Sequence, residues 1–188
     1  LRRNCPSKSV LRRQRKEVFS YMPKISILVP LYKTPEEYLK KMIDSVRNQS
    51  YENWELCLSD GSGADSPVQE MLKGYLKKDK RICLKCNDEA LRIAENTNMA
   101  CSMATGDYLI FLDHDDLLSA DALYECVKAL NEHSDMELIY SDEDKVTMDG
   151  KEYFLPHFKP DFNMDLLRST NYFCHLVMVK RSLYERVG

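Results

Sequence analysis

The sequence predicts an α/β domain with a mainly parallel central sheet flanked by helices, closing in a hairpin and mixed-strand region. Three observations carry that expectation. Strand-like and helix-like segments alternate between residues 24 and 140, the order that a parallel sheet with crossover helices requires. The main strand-like segments are continuous apolar runs, as in strands buried on both faces. The run 107–112 then stops at Asp113-His114-Asp115-Asp116, and in open α/β sheets ligands bind beyond the carboxyl ends of the strands. Carboxylates crowded at such a place repel one another and call for a cation or a proton between them. The expected cation is a divalent metal carrying a phosphorylated ligand.

Taken in order, residues 1–22 form a basic lead-in and residues 23–188 the domain. Arg2, Arg3, Lys8, Arg12, Arg13, Arg15 and Lys16 have Val10, Leu11, Val18 and Phe19 as sparse apolar partners. Two alternatives are open: a peripheral contact with anionic membrane lipid, or a solvated helix whose apolar residues dock on the domain. The β-branched run 24–30 is the first strand. Thr34-Pro35-Glu36-Glu37 opens a helix, with Thr34 as N-cap and Glu37 closing a capping box. Leu39, Met42, Ile43 and Val46 give it one buried face. Residues 54–58 form a second strand ending at Ser59-Asp60-Gly61-Ser62-Gly63.

Ser66 begins the next helix, to about Lys78, and 81–85 is a short third strand. Residues 90–105 read as a helix stopped by Gly106 as C-cap. The acid-tipped strand follows, then a helix over 120–132 capped by Ser119, then a strand over 136–140. Asp149-Gly150 is a hairpin turn between 145–148 and 151–155. A short helix near 161–168, a strand near 175–179 and a helix barely begun at 181–188 complete the chain, which is expected to continue.

Composition narrows the partners. A length of 188 residues suits one domain with a full core, and a net charge of −3 gives no reason to expect a nucleic-acid partner. No apolar run approaches the ~20 residues of a membrane span, and no secretory signal opens the chain. Seven cysteines, an odd number, suit a reducing cytoplasm. Cys83 and Cys86 form a C-x-x-C without the second pair of a zinc site and read as positions in a short strand.

The acids are the main candidates. Mg2+ and Mn2+ take hard oxygen ligands and keep positions for substrate phosphates, so one or two carboxylates suffice. Asp113-x-Asp115 at the end of a buried strand fits that role. Asp60 lies in a Gly/Ser loop past the second strand, either as a ligand contact or as an Asx turn. Asp142-Glu143-Asp144 is a third acidic cluster, a solvated turn, a general base or a ligand contact. Asn96 and Asn98 lie on the helix after the third strand, where polar contacts to a ligand are plausible. His157 and His175 read as packing residues, with His175 before a strand and able to face a cleft.

Together these segments resemble a family 2 glycosyltransferase with the Rossmann-like GT-A fold, from about Lys24 to Gly188. Val29-Pro30-Leu31-Tyr32 is similar to the family's first-strand "VPVYN", and Asp60-Gly61-Ser62 to its "DDGS" loop. Residues 96–100 and 104–108 lead into Phe111-Leu112-Asp113-His114-Asp115-Asp116, similar to its "LDaDD" block. Residues 140–144 and 156–160 look like the branch that acts on cell-surface polysaccharides. The resemblance implies inverting transfer of a sugar from a nucleotide-sugar, often a UDP-sugar, to a glycan or lipid-linked acceptor, in the cytoplasm or at the inner face of the membrane. It implies a donor site of Pro30, Tyr32, Asp60, Asn98 and Asp113, with Asp115 holding Mn2+ or Mg2+. The catalytic base is expected beyond Gly188, so Asp142 to Asp144 do not inherit it. Ser59 stands where the family has a first Asp, leaving Asp60 alone to contact the nucleobase, and Arg92 stands where a glycine is usual.

Three rivals are weaker or differ in kind. A haloacid-dehalogenase phosphatase wants its D-x-D near the domain start and Thr or Val where Leu117 stands. A nucleotidyltransferase wants a Gly-rich basic loop where Leu31-Tyr32-Lys33-Thr34 stands. A nucleotide-sugar binding module, or an inactive relative, would share the fold without transfer.

Overall fold

The computed structural model describes residues 5–187. A short helix α1 (Lys8–Gln14) precedes β1 (Ile25–Leu31), α2 (Glu36–Arg47), β2 (Trp54–Asp60), α3 (Gln69–Lys78), β3 (Ile82–Cys86), α4 (Ile93–Met103) and β4 (Tyr108–Phe111). Then come α5 (Ala122–Glu132), β5 (Leu138–Tyr140), the hairpin β6 (Glu143–Val146) and β7 (Tyr153–His157), α6 (Met164–Ser169), β8 (Val177–Lys180) and α7 (Arg181–Val187). The main sheet runs β3-β2-β1-β4-β8-β5, and β6-β7 is a separate two-stranded sheet. Strands β1 to β4 are parallel. Strand β8 is antiparallel to both neighbours and lies between β4 and β5.

All seven residues of β1 and of β2 are buried, which is why apolar residues dominate both. Their period of two still sorts the side chains. Ile25, Ile27, Val29 and Leu31 join Leu39, Met42, Ile43 and Val46 of α2, Leu72 of α3 and Leu123, Val127 and Leu130 of α5 in the larger core. Leu28, Cys57 and Leu109 face the other way, onto Ala100 of α4, Ala104 and Val179. The backbone of β1 alternates likewise: Leu28 O accepts from Leu112 N at 3.1 Å, and Leu31 O from Gly61 N at 2.9 Å. The missing N–H of Pro30 therefore falls on the β4 side, where pairing has ended at Leu28 and Phe111.

Several expected caps are corrected. The N-cap of α2 is Pro35, and Thr34 is fully buried with Oγ1 unbonded among the described residues. Glu37 pairs with Lys41 at 2.7 Å instead of closing a box. Helix α3 starts after Val68, with Ser66 Oγ accepting only a long 3.4 Å bond from Val68 N. Helix α5 starts after Asp121, and Ser119 contributes its carbonyl, to Ala122 N at 3.0 Å. Helix α4 starts at Ile93 and ends at Met103, shorter at both ends than expected. Gly106 is not its cap: a Cβ there would lie 2.6 Å from Lys24 O and 2.7 Å from Ser26 Oγ. The glycine lets the α4–β4 connection pass against β1. Such caps depend on local preferences that packing overrides.

The lead-in docks on α5. Phe19 packs on Tyr124 with ring centroids 5.3 Å apart, and the Tyr124 hydroxyl donates to Glu17 Oε2 at 2.7 Å. Val18 stays 82% exposed. Among the described residues, no helix is long and apolar enough to cross a membrane. All seven cysteines are free.

Candidate functional site

Leu31 pairs with Asp60, and Leu28 with Phe111, so the loops after β1, β2 and β4 leave the sheet at one end. Asp60 closes β2 and is 1% exposed. Its Oδ1 accepts from Ser62 N at 3.0 Å, an Asx turn. Its buried Oδ2 has no hydrogen-bond partner among the described residues. A buried carboxylate oxygen left unsatisfied is costly, and it is an acceptor waiting for a donor. Both alternatives raised for Asp60 thus coexist on one side chain.

Around Asp60 the loops are cross-braced. Asn87 donates through N and Nδ2 to Asp60 O, at 3.0 and 2.9 Å. Ser59 Oγ donates to Asn96 Oδ1 at 2.6 Å and accepts from Asn87 Nδ2 at 3.2 Å. Asn96 Nδ2 donates to Leu31 O at 2.8 Å. Ser59, the departure from the family's acid, is therefore a brace between β2 and α4. Arg92, the second departure, has an extended backbone, φ −74° and ψ 162°, so the position needs no glycine. Its N–H donates to Glu95 Oε2 at 3.1 Å, which starts α4.

The acid turn after β4 meets a residue from far along the chain. His175, just before β8, is carried beside β4 by the β4–β8 pairing. Its Nε2 lies 3.6 Å from Asp113 Oδ2 and 3.4 Å from Asp116 Oδ2. Donor atoms of Asp113, Asp116 and His175 all lie within 4.8 Å of one another. Asp116 Oδ2 is buried without a hydrogen bond among the described residues. Burial pushes the Asp116 carboxyl up; His175 opposes the rise, while Asp113, Asp115 and Glu143 add to it. Two carboxylates, one of them with a buried oxygen that has no partner among the described residues, and an imidazole suit a divalent cation that accepts mixed oxygen and nitrogen ligands; Mn2+ fits this set better than Mg2+.

A cleft of about 1240 Å³ opens beside this cluster. Asp115, Asp116 and His175 line it together with Glu143, His157 and Phe154 of the hairpin. His157 Nδ1 lies 3.1 Å from Glu143 Oε1. Despite burial, Glu143 titrates below the usual range, because bonds from His157, the His175 N–H and Lys159 favour its charged form.

The expected residues are thus partly gathered. Pro30 and Asp60 end adjacent strands, and Tyr32 follows β1 with half its surface exposed. Asp113 and Asp115 are exposed on the next loop. Asn98 lies elsewhere: its Oδ1 accepts from Tyr184 of α7 at 3.4 Å, while Asn96, two residues back and on the opposite face of α4, reaches the Asp60 loop. Asp113 joins the three-donor cluster with Asp116 and His175, and Asp115 is not one of the three. Asp116 was legible as part of the acid crowd. His175 carried only the signal of a histidine before a strand, because the insertion of β8 leaves no local mark.

As fold and site, this is an α/β domain of the class that takes its ligand across the carboxyl ends of a parallel sheet. Comparison supplies the family. The model of glycosyl transferase family 2 matches residues 26–188, and the chain belongs to that family. It is 42% identical over 166 residues to the uncharacterised protein y4gI of Sinorhizobium fredii, covering 88% of this chain and 18% of that one. It is 32% identical over 169 residues to the O-antigen biosynthesis protein RfbC of Myxococcus xanthus, covering 90% and 13%. The chain therefore spans less than a fifth of either relative. Among solved structures, the mannosyltransferase PcManGT from Pyrobaculum calidifontis, in complex with GDP-Man and Mn2+, matches with a TM-score of 0.64 at 19% identity, over 95% of this chain and 52% of that one. S. aureus TarS 1–349 with UDP-GlcNAc matches with a TM-score of 0.69 at 18% identity, over 87% and 47%. At these identities the likeness is one of fold, and it is the GT-A fold expected from the sequence.

Proposed function

We propose that the protein is an inverting, metal-dependent glycosyltransferase acting in cell-surface polysaccharide synthesis, with UDP-sugars as the expected donor class and a glycan or lipid-linked acceptor. The carrying observation is the convergence of Asp113, Asp116 and His175 at the sheet end where Asp60 keeps a buried, unpaired carboxylate oxygen. The O-antigen biosynthesis relative supports the polysaccharide setting. Fold neighbours that hold UDP-GlcNAc, or GDP-Man with Mn2+, support the donor class.

Each residue has a role in this scheme. Asp60 Oδ2 accepts from a nucleobase N–H, and Pro30 and Tyr32 line the nucleoside side. Asp113, Asp116 and His175, with Asp115 beside them in the cleft, hold Mn2+ or Mg2+. When bound, the ion neutralises charge that grows on the departing diphosphate. The acceptor oxygen bonds to the anomeric carbon as the bond to the diphosphate breaks, and a carboxylate base takes the acceptor's proton.

Calorimetry with UDP, UDP-GlcNAc and GDP-mannose, with and without Mn2+, tests the donor half. Nucleotide binding should tighten with Mn2+, and Asp116→Asn or His175→Ala should remove at least about tenfold of that gain. Asp115→Asn compares its share. Affinity that ignores Mn2+ and is unchanged in these variants would sink the proposal. Release of nucleoside diphosphate on adding an acceptor glycan to the whole protein separates a transferase from a binding module.

A further inference from the structure

His175 reaches the acid cluster from outside the Asp113–Asp116 turn, and its backbone is gripped on the far side. The His175 N–H donates to Glu143 Oε2 at 3.1 Å. Its carbonyl accepts from Lys159 Nζ. The same ammonium donates to the Phe173 carbonyl at 2.7 Å and stands 3.5 Å from Glu143 Oε2. Between those carbonyls Cys174 holds a left-handed φ of +37°, a conformation that non-glycine residues keep only when their surroundings enforce it. The Lys159 N–H donates to Asp142 Oδ1 at 2.8 Å, which ties the lysine to the start of the hairpin.

The Lys159 side chain is 1% exposed. Lysine is rarely buried this far, because its ammonium is strongly hydrated in water. A residue needed only to fill space would be apolar. A buried ammonium instead collects acceptors at one point, and here these are two carbonyls flanking Cys174 and the Glu143 carboxylate. Glu143 in turn holds the N–H of the residue whose carbonyl the lysine holds. Both main-chain polar groups of His175, its N–H and its carbonyl, are thus held by one ion pair.

We propose that Lys159 and Glu143 are positioning residues, a clamp that sets the His175 imidazole against Asp113 and Asp116 and thereby sets the affinity of the cation site. The inference rests on the cation role proposed above. Neither residue is one of the three donors. Partners one shell away from metal donors commonly change metal affinity about 10–100-fold when removed.

The test measures Mn2+ affinity alone, by the electron paramagnetic resonance signal of the free ion, on folded protein without nucleotide. The proteins are wild type, Lys159→Met, Glu143→Gln, His175→Ala and the two double variants with His175→Ala. Lys159→Met and Glu143→Gln should each weaken binding by roughly tenfold. Once His175→Ala has removed the imidazole, the same substitutions should change affinity by less than about twofold, because the pair acts through His175. A merely structural lysine would lower the unfolding midpoint and leave Mn2+ affinity intact, and that result overturns the clamp. Should Lys159→Met not fold, Glu143→Gln carries the same comparison with the lysine still in place. If His175→Ala itself leaves Mn2+ affinity at the wild-type level, the cation assignment fails and the clamp with it. If His175→Ala weakens binding while the other two do not, the clamp alone fails.

Discussion

Glu55 is a charged side chain inside the central sheet, 5% exposed. Burial alone would raise its carboxyl, but bonds from Lys24, Ser26 and the N–H and hydroxyl of Thr105 outweigh burial and bring it to about 2. Those bonds join β1, β2 and the turn into β4. A folded-state value below the unfolded one stabilises the protein above the unfolded value, and that stability is lost as pH falls through the folded value. The contribution should therefore be complete above pH ~4.5 and vanish toward pH ~2, amounting to roughly 3 kcal/mol. Urea unfolding across that range should show the loss in wild type, and Glu55→Gln should flatten it; parallel slopes would refute the assignment. Nothing beside Glu55 in the sequence announces this. An acid within an apolar strand marks a special position, but its partners come from two distant segments, Lys24 and Ser26 at the start of β1 and Thr105 before β4. Asp60 was easier to find, because an acid at a strand end before Gly-Ser is a local pattern.

Elements were most legible where one segment decides them. The apolar face of α2 and the mainly apolar β1 follow from period and burial, and the Asp149-Gly150 turn from its own residues, with Gly150 at φ +72°. Element ends were less legible. Thr34, Ser66 and Ser119 are good caps by type, yet each lies a residue or more outside the helix that packing selects. Gly106 carries the plainest consequence. Its hydrogen faces Lys24 O and Ser26, so Gly106→Ala should cost about 1–3 kcal/mol by overpacking, read as a lower denaturant midpoint with an unchanged slope. An unchanged midpoint in Gly106→Ala would refute the close approach.

For the molecule as a whole, the sequence conveyed the parallel half of the sheet and not its closure. The alternation of β1 to β4 dictates their neighbourhood. The wedging of β8 between β4 and β5 is a long-range pairing that no window of sequence contains, and it brings His175 to the acids. It also sets a timetable. On the ribosome β4 is complete long before β8 exists, and at about 5–20 residues per second the outer edge of β4 waits several seconds for its partner. During that interval β5 also lacks the strand it pairs with. An open, apolar strand edge is a template for pairing with another chain. A chain ending at residue 160 should therefore self-associate on size-exclusion chromatography with light scattering, whereas the 188-residue chain should not do so through this edge. A monomeric, fully structured fragment would show that β4 needs no such partner. The strand that completes the site also protects the newborn sheet, and until it emerges the chain depends on chaperones or on speed.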